Sequence, residues 1–371
     1  MNRLAILFAL VLVAVDGQAG DHPAAIRIGF ASAGLGGRPF TSSGVLAIVH
    51  VKSLLEEEFK AENIRIDWHL HKGAGPAVNE ALAGGLLDLT TQGDLPSLLG
   101  RSSGIKTRII LATSVRANTY LAVPVDSPAK RLEDLKGKRV AYHRGTNATL
   151  GIAKLLHSRG LSDADFRTIN LDSTAAQVAL TNHDIEGAWG SLLLFDLVKR
   201  GVARIIDGTR GGDPRNTLQS SILVTESFAT AYPSIVQRIV DVLVRTARWQ
   251  SDPANRSEVF AAWAKSGYAA DILEEDYQGD LLRVRSSPLL DEFFTSQYRD
   301  GARLALAFKL IRNPVEVDGW FDPRYLSAAL KKQNLEEYWL PAAADGSFGT
   351  GSTQPTAPTA TQPAQPGTDK P

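Results

Sequence analysis

Apolar and polar residues follow two regular patterns along most of this chain. From Ile64 to Leu70 every second residue is apolar, and the residues between them are polar or charged. A period of two residues is typical of a half-buried β-strand. Residues 44–59 form an amphipathic segment instead, as expected of a helix with one buried face. Because short apolar segments alternate with longer amphipathic ones, the pattern predicts an α/β fold.

The first part of the chain predicts a mostly parallel sheet covered by helices. A Gly/Ser-rich loop at residues 31–43 follows the first predicted strand, and Pro76 opens a helix that Gly84 and Gly85 end. Strands are predicted at residues 26–30, 64–71, 88–92 and 108–115. Strands that alternate with helices in this order favour parallel pairing, because each helix carries the chain back across the sheet.

A second unit of the same kind begins after Pro124. Helical segments separate its apolar stretches, and two of the helices end at Gly160 and Gly201. Strands are predicted at residues 139–142, 168–171, 185–189 and 203–206. One more apolar stretch, residues 222–224, is predicted to return to the first sheet.

These two units predict two doubly wound α/β lobes with mixed, mostly parallel sheets. Two hinge crossings, near residues 121–124 and 222–224, join the lobes. The first lobe is expected to comprise residues 20–122 and 224–345, and the second lobe residues 123–223.

The two ends of the chain differ from this pattern. Residues 1–19 contain an arginine near the start, a run of apolar residues and small residues before Gly20, which is typical of a cleaved export signal. The apolar run would extend roughly 18 Å as a helix, too short for a hydrocarbon core of about 30 Å. Residues 346–371 consist mainly of Gly, Ser, Thr, Pro, Gln and Ala, a composition typical of a disordered tail.

Charge and cysteine content exclude several classes of function. The chain has 40 Lys+Arg and 40 Asp+Glu, so it lacks the excess of positive charge that nucleic acid or anionic lipid would require. It has no cysteine, which excludes disulfides, thiolate metal sites and cysteine nucleophiles. His69 and His71 share one strand face, but no third ligand is near them in sequence, and we predict no metal site.

Several segments, in this order, resemble a known family. They are IRIGF at 26–30, GAGPAVNEALAGGLLDLTTQGDLPSLL at 73–99, LEDLKGKRVAYHRGTNATLGIAKLL at 132–156, HDIEGAW at 183–189 and SILVTESFATAYPSIVQRIV at 221–240. The chain resembles the type II periplasmic substrate-binding proteins of ABC transporters. Within them it is similar to the receptors for aliphatic sulfonates, nitrate, taurine and thiamine precursors.

The resemblance implies a function and a location. It implies a monomeric, exported periplasmic receptor that binds a small anionic organic solute between its lobes. The solute is then delivered to an ABC-transporter permease in the inner membrane. No catalytic residue, cofactor or nucleic-acid partner is implied, so we expect no enzyme.

The resemblance and the local chemistry both point to residues 145–148 as a ligand site. Gly145 can adopt a positive φ between a strand and a helix, and Thr146 or Asn147 can cap that helix, whose first turn ends near Ala148. The free N–H groups of a helix start favour an anion such as a sulfonate or carboxylate. An ordinary capped helix is the alternative. Arg144 either adds positive charge there or is solvated.

Strand ends supply the next candidates, because ligands of open α/β sheets lie beyond the carboxyl ends of the strands. In the family the turn at residues 91–94 faces the cleft, so Gln92 is expected to hydrogen-bond the ligand. Asp94 either pairs with an amine or caps the following helix. Trp189 either stacks on the apolar part of a ligand or is a core residue.

The family's ligand-contacting serines match Ser42, Ser43 and Gly44 best. The loop before them is longer than in the family. Relatives usually follow the tryptophan with an aspartate–proline turn, whereas this chain has Gly190-Ser191. At these two places the contacts with the ligand are expected to differ from those in the family.

A sulfonate is the first choice of solute, because a helix start and an apolar tryptophan suit a molecule with one anionic end. A nitrate receptor, a receptor for a thiamine-precursor pyrimidine, and a sensor that presents its ligand to a signalling partner are the alternatives. The similar thiamine-pyrimidine synthases depend on a cysteine-rich motif, which this chain lacks.

Overall fold

The computed structural model describes residues 22–349, which contain two five-stranded sheets. The strands of the first sheet are Ala25–Phe30 (β1), Arg65–Leu70 (β2), Leu89–Gly93 (β3), Thr107–Ala117 (β4) and Leu218–Thr225 (β10). Those of the second sheet are Tyr120–Pro124 (β5), Arg139–Tyr142 (β6), Arg167–Asn170 (β7), Gly187–Gly190 (β8) and Ala203–Gly208 (β9). The spatial orders are β2-β1-β3-β10-β4 and β7-β6-β8-β5-β9.

Helices flank both sheets. They are Val45–Val51 (α1), Leu54–Glu58 (α2), Ala74–Ala83 (α3), Asp94–Ser102 (α4), Asn147–Ser158 (α5), Ser173–Thr181 (α6), Leu192–Lys199 (α7), Glu226–Ala231 (α8), Pro233–Gln250 (α9), Arg256–Ala264 (α10), Ala270–Asp276 (α11), Leu282–Arg285 (α12), Glu292–Ala307 (α13) and Arg324–Lys332 (α14). The single helix predicted at residues 44–59 is divided into α1 and α2, because Ser53 adopts a left-handed conformation with φ of 52°.

The predicted fold class is confirmed. In each sheet four strands run in one direction, and one strand, β10 or β5, runs against its two neighbours. Each of these two antiparallel strands is the first strand after a crossing between the sheets. The sheets are therefore mixed and mostly parallel, as the sequence pattern indicated.

The chain changes sheets at slightly different residues than predicted. Strand β10 pairs within the first sheet, as predicted for residues 222–224, whereas β5 pairs along its whole length within the second sheet. The crossings therefore lie at residues 118–119 and 209–217, outside the strands that sequence reasoning assigned to them. An apolar strand pattern does not tell which sheet the strand joins, which accounts for the difference.

Two of the helices that follow α9, namely α10 and α11, extend the second lobe. Phe260 and Trp263 of α10 pack in the same buried cluster as Ala188 of β8. The hydroxyl of Tyr120 in β5 donates a hydrogen bond to Asp276 of α11 at 3.1 Å. Although they fall in the range predicted for the first lobe, α10 and α11 thus contact the second sheet.

Folded structure also continues beyond the predicted start of the tail. Arg116 donates a hydrogen bond to the carbonyl of Gly346 at 2.6 Å, and its guanidinium lies over the ring of Phe348. Ala342 and Phe348 form an isolated bridge. The predicted export signal and the rest of the predicted tail lie outside the described residues. Among residues 22–349 no helix is both long and apolar enough to span a membrane.

Buried hydrogen bonds join the two crossings. The hydroxyl of Thr209 donates to the side-chain oxygen of Asn118 at 3.0 Å and accepts from the backbone N–H of Thr119 at 3.1 Å. The backbone N–H of Thr209 donates to the carbonyl of Thr119. Because Thr209 is 2% exposed, water does not replace these bonds readily.

We expect Thr209→Val to destabilise the protein. Valine keeps the shape of threonine but leaves a buried N–H and a buried amide oxygen unpaired, which costs about 1–3 kcal/mol of unfolding free energy. Chemical denaturation measures this change. The matched control is Thr230→Val on the exposed surface of α8, which we expect to change the unfolding free energy by less than about 0.5 kcal/mol. Equal effects of the two substitutions would contradict this account.

Candidate functional site

The N-terminus of α5 is not capped by the side chain of its N-cap residue. Gly145 has a φ of 76°, which favours glycine, and turns the chain from β6 into the helix. Thr146 occupies the N-cap position, but its hydroxyl donates to the carbonyl of His143 at 2.8 Å and does not cap the helix. The side chain of Asn147 accepts from the N–H of Ala148 at 3.0 Å. The positive end of the helix dipole therefore lies at residues 145–148, as predicted.

The first lobe lies directly against this helix start. A methyl group added to Gly93, at the end of β3, would lie 2.5 Å from the Cβ of Asn147. One added to Gly145 would lie 3.2 Å from the Cγ of Pro76 on α3. Glycine at position 93 is thus required by the close approach. The carboxyl ends of β3 and β6 meet here, between the lobes.

Gln92 is buried beside this contact. It is 2% exposed, and its amide nitrogen donates to the carbonyl of Gly75 at 3.3 Å and to Asn79 at 2.9 Å. Within the described part of the chain, its amide oxygen has no hydrogen-bond partner. Residues of α3 therefore fix the side chain of Gln92 next to Gly93, and its amide oxygen can still accept a hydrogen bond.

Asp94 is a buried carboxylate in the first turn of α4. It is 1% exposed, and it accepts a hydrogen bond from the N–H of Leu95 at 2.7 Å. Burial raises the pKa of Asp94 to about 6, although the positive charge of Lys154 on α5 opposes the increase. Gly93, and not Asp94, is the N-cap residue of α4. The carboxylate of Asp94 on the first lobe therefore interacts with the positive charge of Lys154 on the second lobe.

Lys154 is the partner that sequence analysis missed. It is 6% exposed and donates to the side chain of Gln297 on α13 at 3.0 Å. Burial lowers the pKa of Lys154, whereas Asp94 raises it. A lysine inside the apolar segment GIAKLL was the available signal, because buried lysines usually have a partner.

Arg144 does not turn toward the helix start. Its guanidinium donates to Asp163 at 3.2 Å and also to Thr168. Its backbone N–H donates to the side chain of Asn170 at 2.9 Å. The charge of Arg144 is therefore held on the second lobe by Asp163, and its side chain is half exposed, as in the alternative that Arg144 is solvated.

Trp189 is a core residue. It is 5% exposed and packs with Leu121 and Ile152 in the core of the second lobe. Ala148 of the helix start is packed against the same cluster. Of the two predicted alternatives, the structure shows the core residue. The buried indole belongs to the apolar cluster on which the helix start packs, so it is not exposed for stacking on a ligand.

Residues 42–44 precede α1. Ser42 is half-buried and Ser43 is exposed. Gly44 has a φ of 84°, and its carbonyl accepts a hydrogen bond from the indole N–H of Trp263 at 3.3 Å. The preceding loop is tied to the same region, since the N–H of Leu35 donates to the carbonyl of Ser266. Hydrogen bonds thus connect this segment to α10, and none of those described connects it to the start of α5.

A groove runs between the lobes along one side of α5. We call it the α4–α5 groove. It has a volume of about 590 Å³. Its walls come from α4, residues 308–310, α5 and residues 161–164, with Gly145 and Thr149 at one end. Sequence analysis did not predict this groove, because it depends on the relative position of two lobes.

Titratable groups do not form a metal centre in the described structure. Among residues 22–349 no group of three or more His, Asp or Glu side chains has an arrangement that could hold a metal ion. The site is therefore defined by a helix start, buried polar side chains and a groove.

Comparisons with known proteins agree with this architecture. A family model described as NMT1/THI5 like matches residues 59–254. A protein of Escherichia coli K12 assigned to the binding of aliphatic sulfonates is 28% identical over 258 residues, covering 67% of this chain and 76% of that protein. The structure of a sulfonate-binding protein, SsuA, from Methylobacillus flagellatus KT has a TM-score of 0.76 and 29% identity, covering 86% of this chain and 97% of that one.

An enzyme is also among the relatives. The 2'-hydroxybiphenyl-2-sulfinate desulfinase of Rhodococcus erythropolis is 23% identical over 294 residues, which cover 65% of this chain and 80% of the enzyme. The fold alone therefore does not separate binding from catalysis. The more similar relatives are binding proteins. Since the family model covers more than half of the chain, the protein belongs to the NMT1/THI5-like family, together with sulfonate-binding proteins of the periplasmic substrate-binding type.

Proposed function

We propose that this protein is a periplasmic receptor that binds an organic sulfonate between its lobes and delivers it to the permease of an ABC importer. The observation that carries the proposal is the start of α5, which its N-cap side chain leaves uncapped and which Gly93 and Pro76 of the first lobe cover. An anion bound there replaces the side-chain oxygen of Asn147 as the acceptor for the N–H of Ala148 and is attracted by the helix dipole. Both lobes enclose it.

The arrangement also suits the capture and release of a solute. The crossings at residues 118–119 and 209–217 connect the lobes through short segments, so rotation there separates Gly93 from Asn147 and opens the helix start. Domain closure around a ligand is a common mechanism of binding proteins. The closed form then presents both lobes together to the permease. Relatives of this chain include sulfonate-binding proteins, which supports the choice of ligand and of partner.

Binding of a short sulfonate tests this function directly. We expect butane-1-sulfonate to raise the melting temperature of the purified protein, because a ligand present at 100 times its Kd stabilises the native state by about 2.7 kcal/mol. Differential scanning fluorimetry measures the rise. Butylammonium, which has the same chain and the opposite charge, should leave the melting temperature unchanged. A rise with butylammonium alone would contradict an anion site.

Asn147→Asp tests the position of the anion. The substitution adds a negative charge in the first turn of α5, so we expect at least a tenfold loss of sulfonate affinity, about 1.4 kcal/mol. The fold is preserved because a carboxylate at a helix start is stabilising. Isothermal titration calorimetry measures the loss. Asn255→Asp at the N-cap of α10 is the matched control and should keep its affinity. Unchanged affinity in Asn147→Asp would place the anion elsewhere.

A catalytic role of the desulfinase type is the competing possibility. The chain has no cysteine, so a thiolate nucleophile is not available to attack a sulfinate. We expect no sulfite release when the protein is incubated with 2'-hydroxybiphenyl-2-sulfinate. A colorimetric sulfite assay checks this, with the Rhodococcus desulfinase as the positive control. Turnover above the uncatalysed rate would contradict a purely binding function.

A further inference from the structure

Residues 342–348, near the end of the described range, form a small hairpin that we call the C-terminal hairpin. The backbone N–H of Ala343 donates to the carbonyl of Ser347 at 2.9 Å, and the N–H of Gly346 donates to the carbonyl of Ala343 at 2.8 Å. Gly346 has a φ of 86°, which glycine adopts readily. Because these hydrogen bonds lie within the segment, the hairpin has a defined shape of its own.

The C-terminal hairpin is attached to α13 of the first lobe. The N–H of Ala342 donates to the carboxylate of Asp291 at 2.9 Å, and the carbonyl of Ala342 accepts from the N–H of Phe293 at 3.1 Å. Asp291 is also the N-cap residue of α13 and accepts from the N–H of Phe294 at 2.8 Å. One carboxylate therefore fixes both the start of α13 and the start of the hairpin.

Arg116 connects the C-terminal hairpin to the first crossing. It lies near the end of β4, just before that crossing, and its guanidinium donates to the carbonyl of Gly346 at 2.6 Å. The same guanidinium lies over the rings of Phe293 and Phe348, at 4.7 and 4.8 Å from their centroids. The backbone N–H of Arg116 donates to the side chain of Gln219, which follows the second crossing, at 3.1 Å. Arg116 thus contacts the hairpin with its side chain and the region of both crossings with its backbone.

The second crossing touches the C-terminal hairpin directly. A methyl group added to Gly346 would lie 2.7 Å from the Cγ of Pro214, so no side chain fits between them. Pro214 begins a short turn of 3-10 helix, Pro214–Asn216, within this crossing. The same turn also meets α5, because a methyl group added to Gly151 would lie 3.1 Å from the carbonyl oxygen of Asn216. The segment that returns the chain to the first lobe therefore contacts both the hairpin and α5.

Separation of the lobes would change this contact. The proposed opening rotates the second lobe about the two crossings, which moves Pro214 relative to the first lobe. Gly346 does not follow, because Asp291 and Arg116 hold the hairpin on the first lobe. Opening therefore breaks the close packing of Gly346 on Pro214, and the lost contacts cost free energy.

We infer that the C-terminal hairpin acts as a strap on the hinge, because its packing against the second crossing favours the arrangement in which α5 contacts the first lobe. The inference rests on the lobe movement of the proposed function but not on the identity of the solute. Displacement of the hairpin from Pro214 lets the lobes separate more often. The strap thus determines how readily the empty site opens.

Spin labels measure the separation of the lobes without any ligand. Because the chain has no cysteine, Ala61→Cys after α2 and Thr174→Cys on α6 give one exposed label on each lobe. Double electron–electron resonance measures the distances between the labels, and the short distance is the one that the structure predicts. In Gly346→Ala, whose methyl group pushes the hairpin away from Pro214, we expect the share of molecules with a longer distance to rise at least about threefold, because a contact present in only one arrangement shifts the populations of both.

Gly319→Ala is the matched control. Gly319 also has a positive φ, of 75°, but a methyl group added there would meet nothing within 4 Å. The substitution therefore adds the same backbone strain without touching a crossing, and we expect the distances of the parent protein. Phe348→Ala is the second variant if Gly346→Ala does not fold. It removes the half-buried ring from Arg116 and should shift the distances in the same direction.

The measurement also separates the strap from the proposed function. An unchanged distance distribution in folded Gly346→Ala would overturn the strap, and so would an equal shift in Gly319→Ala. Neither result would affect the binding of sulfonates by the parent protein. If the distances shift as expected while no sulfonate binds to the parent protein, the proposed function fails and the strap stands.

Discussion

The two lobes approach within van der Waals distance at α5, and this contact determines the geometry of the site. Gly93 leaves no room for a side chain beside Asn147, and a methyl group on Gly151 would lie 2.3 Å from Leu218 of β10. Leu150 packs into the apolar cluster of the first lobe, whereas Ile152 packs into that of the second. One helix therefore belongs to both cores, and its N-terminus is fixed between the carboxyl ends of β3 and β6.

The polar crossings complement this apolar contact. Gln219 at the start of β10 is fully buried, and its side-chain oxygen accepts from the N–H of Arg116 in β4 at 3.1 Å. Together with the bonds among Asn118, Thr119 and Thr209, it keeps the two crossings side by side. Rotation about short segments that remain hydrogen-bonded moves the lobes as bodies. Opening of the proposed site would therefore also have to separate Leu150 of α5 from the apolar cluster of the first lobe.

The fold was predictable from sequence because each sheet is made of local patterns. The alternation at residues 64–70 and the apolar stretches of the second unit depend on burial within one sheet, which a periodic pattern records. The helix start at residues 145–148 was predictable for the same reason, since a glycine after a strand and before a helix is a local signal. The return of residues 222–224 to the first sheet was also predicted and is confirmed. The assignment of β5 to the second sheet was not predicted, because its pairing partners are distant in sequence.

The directions in which side chains point could not be predicted from the sequence either. Arg144 adjoins the helix start in sequence and Trp189 lies near the end of a strand, but an ion pair with Asp163 and packing with Leu121 direct the two side chains elsewhere. The α4–α5 groove and the opposition of Asp94 to Lys154 arise only when the lobes meet. Such features depend on tertiary contacts, for which a single sequence gives no signal beyond an unusual residue such as Lys154.

The charges buried near the helix start explain how a carboxylate is tolerated beside an anion site. A free carboxylate at Asp94 would repel a sulfonate, but burial raises its pKa and so favours the neutral form. When Asp94 is ionised, Lys154 of the facing helix offsets its charge. In either state little net negative charge remains beside the positive end of α5, which agrees with the proposed anion site.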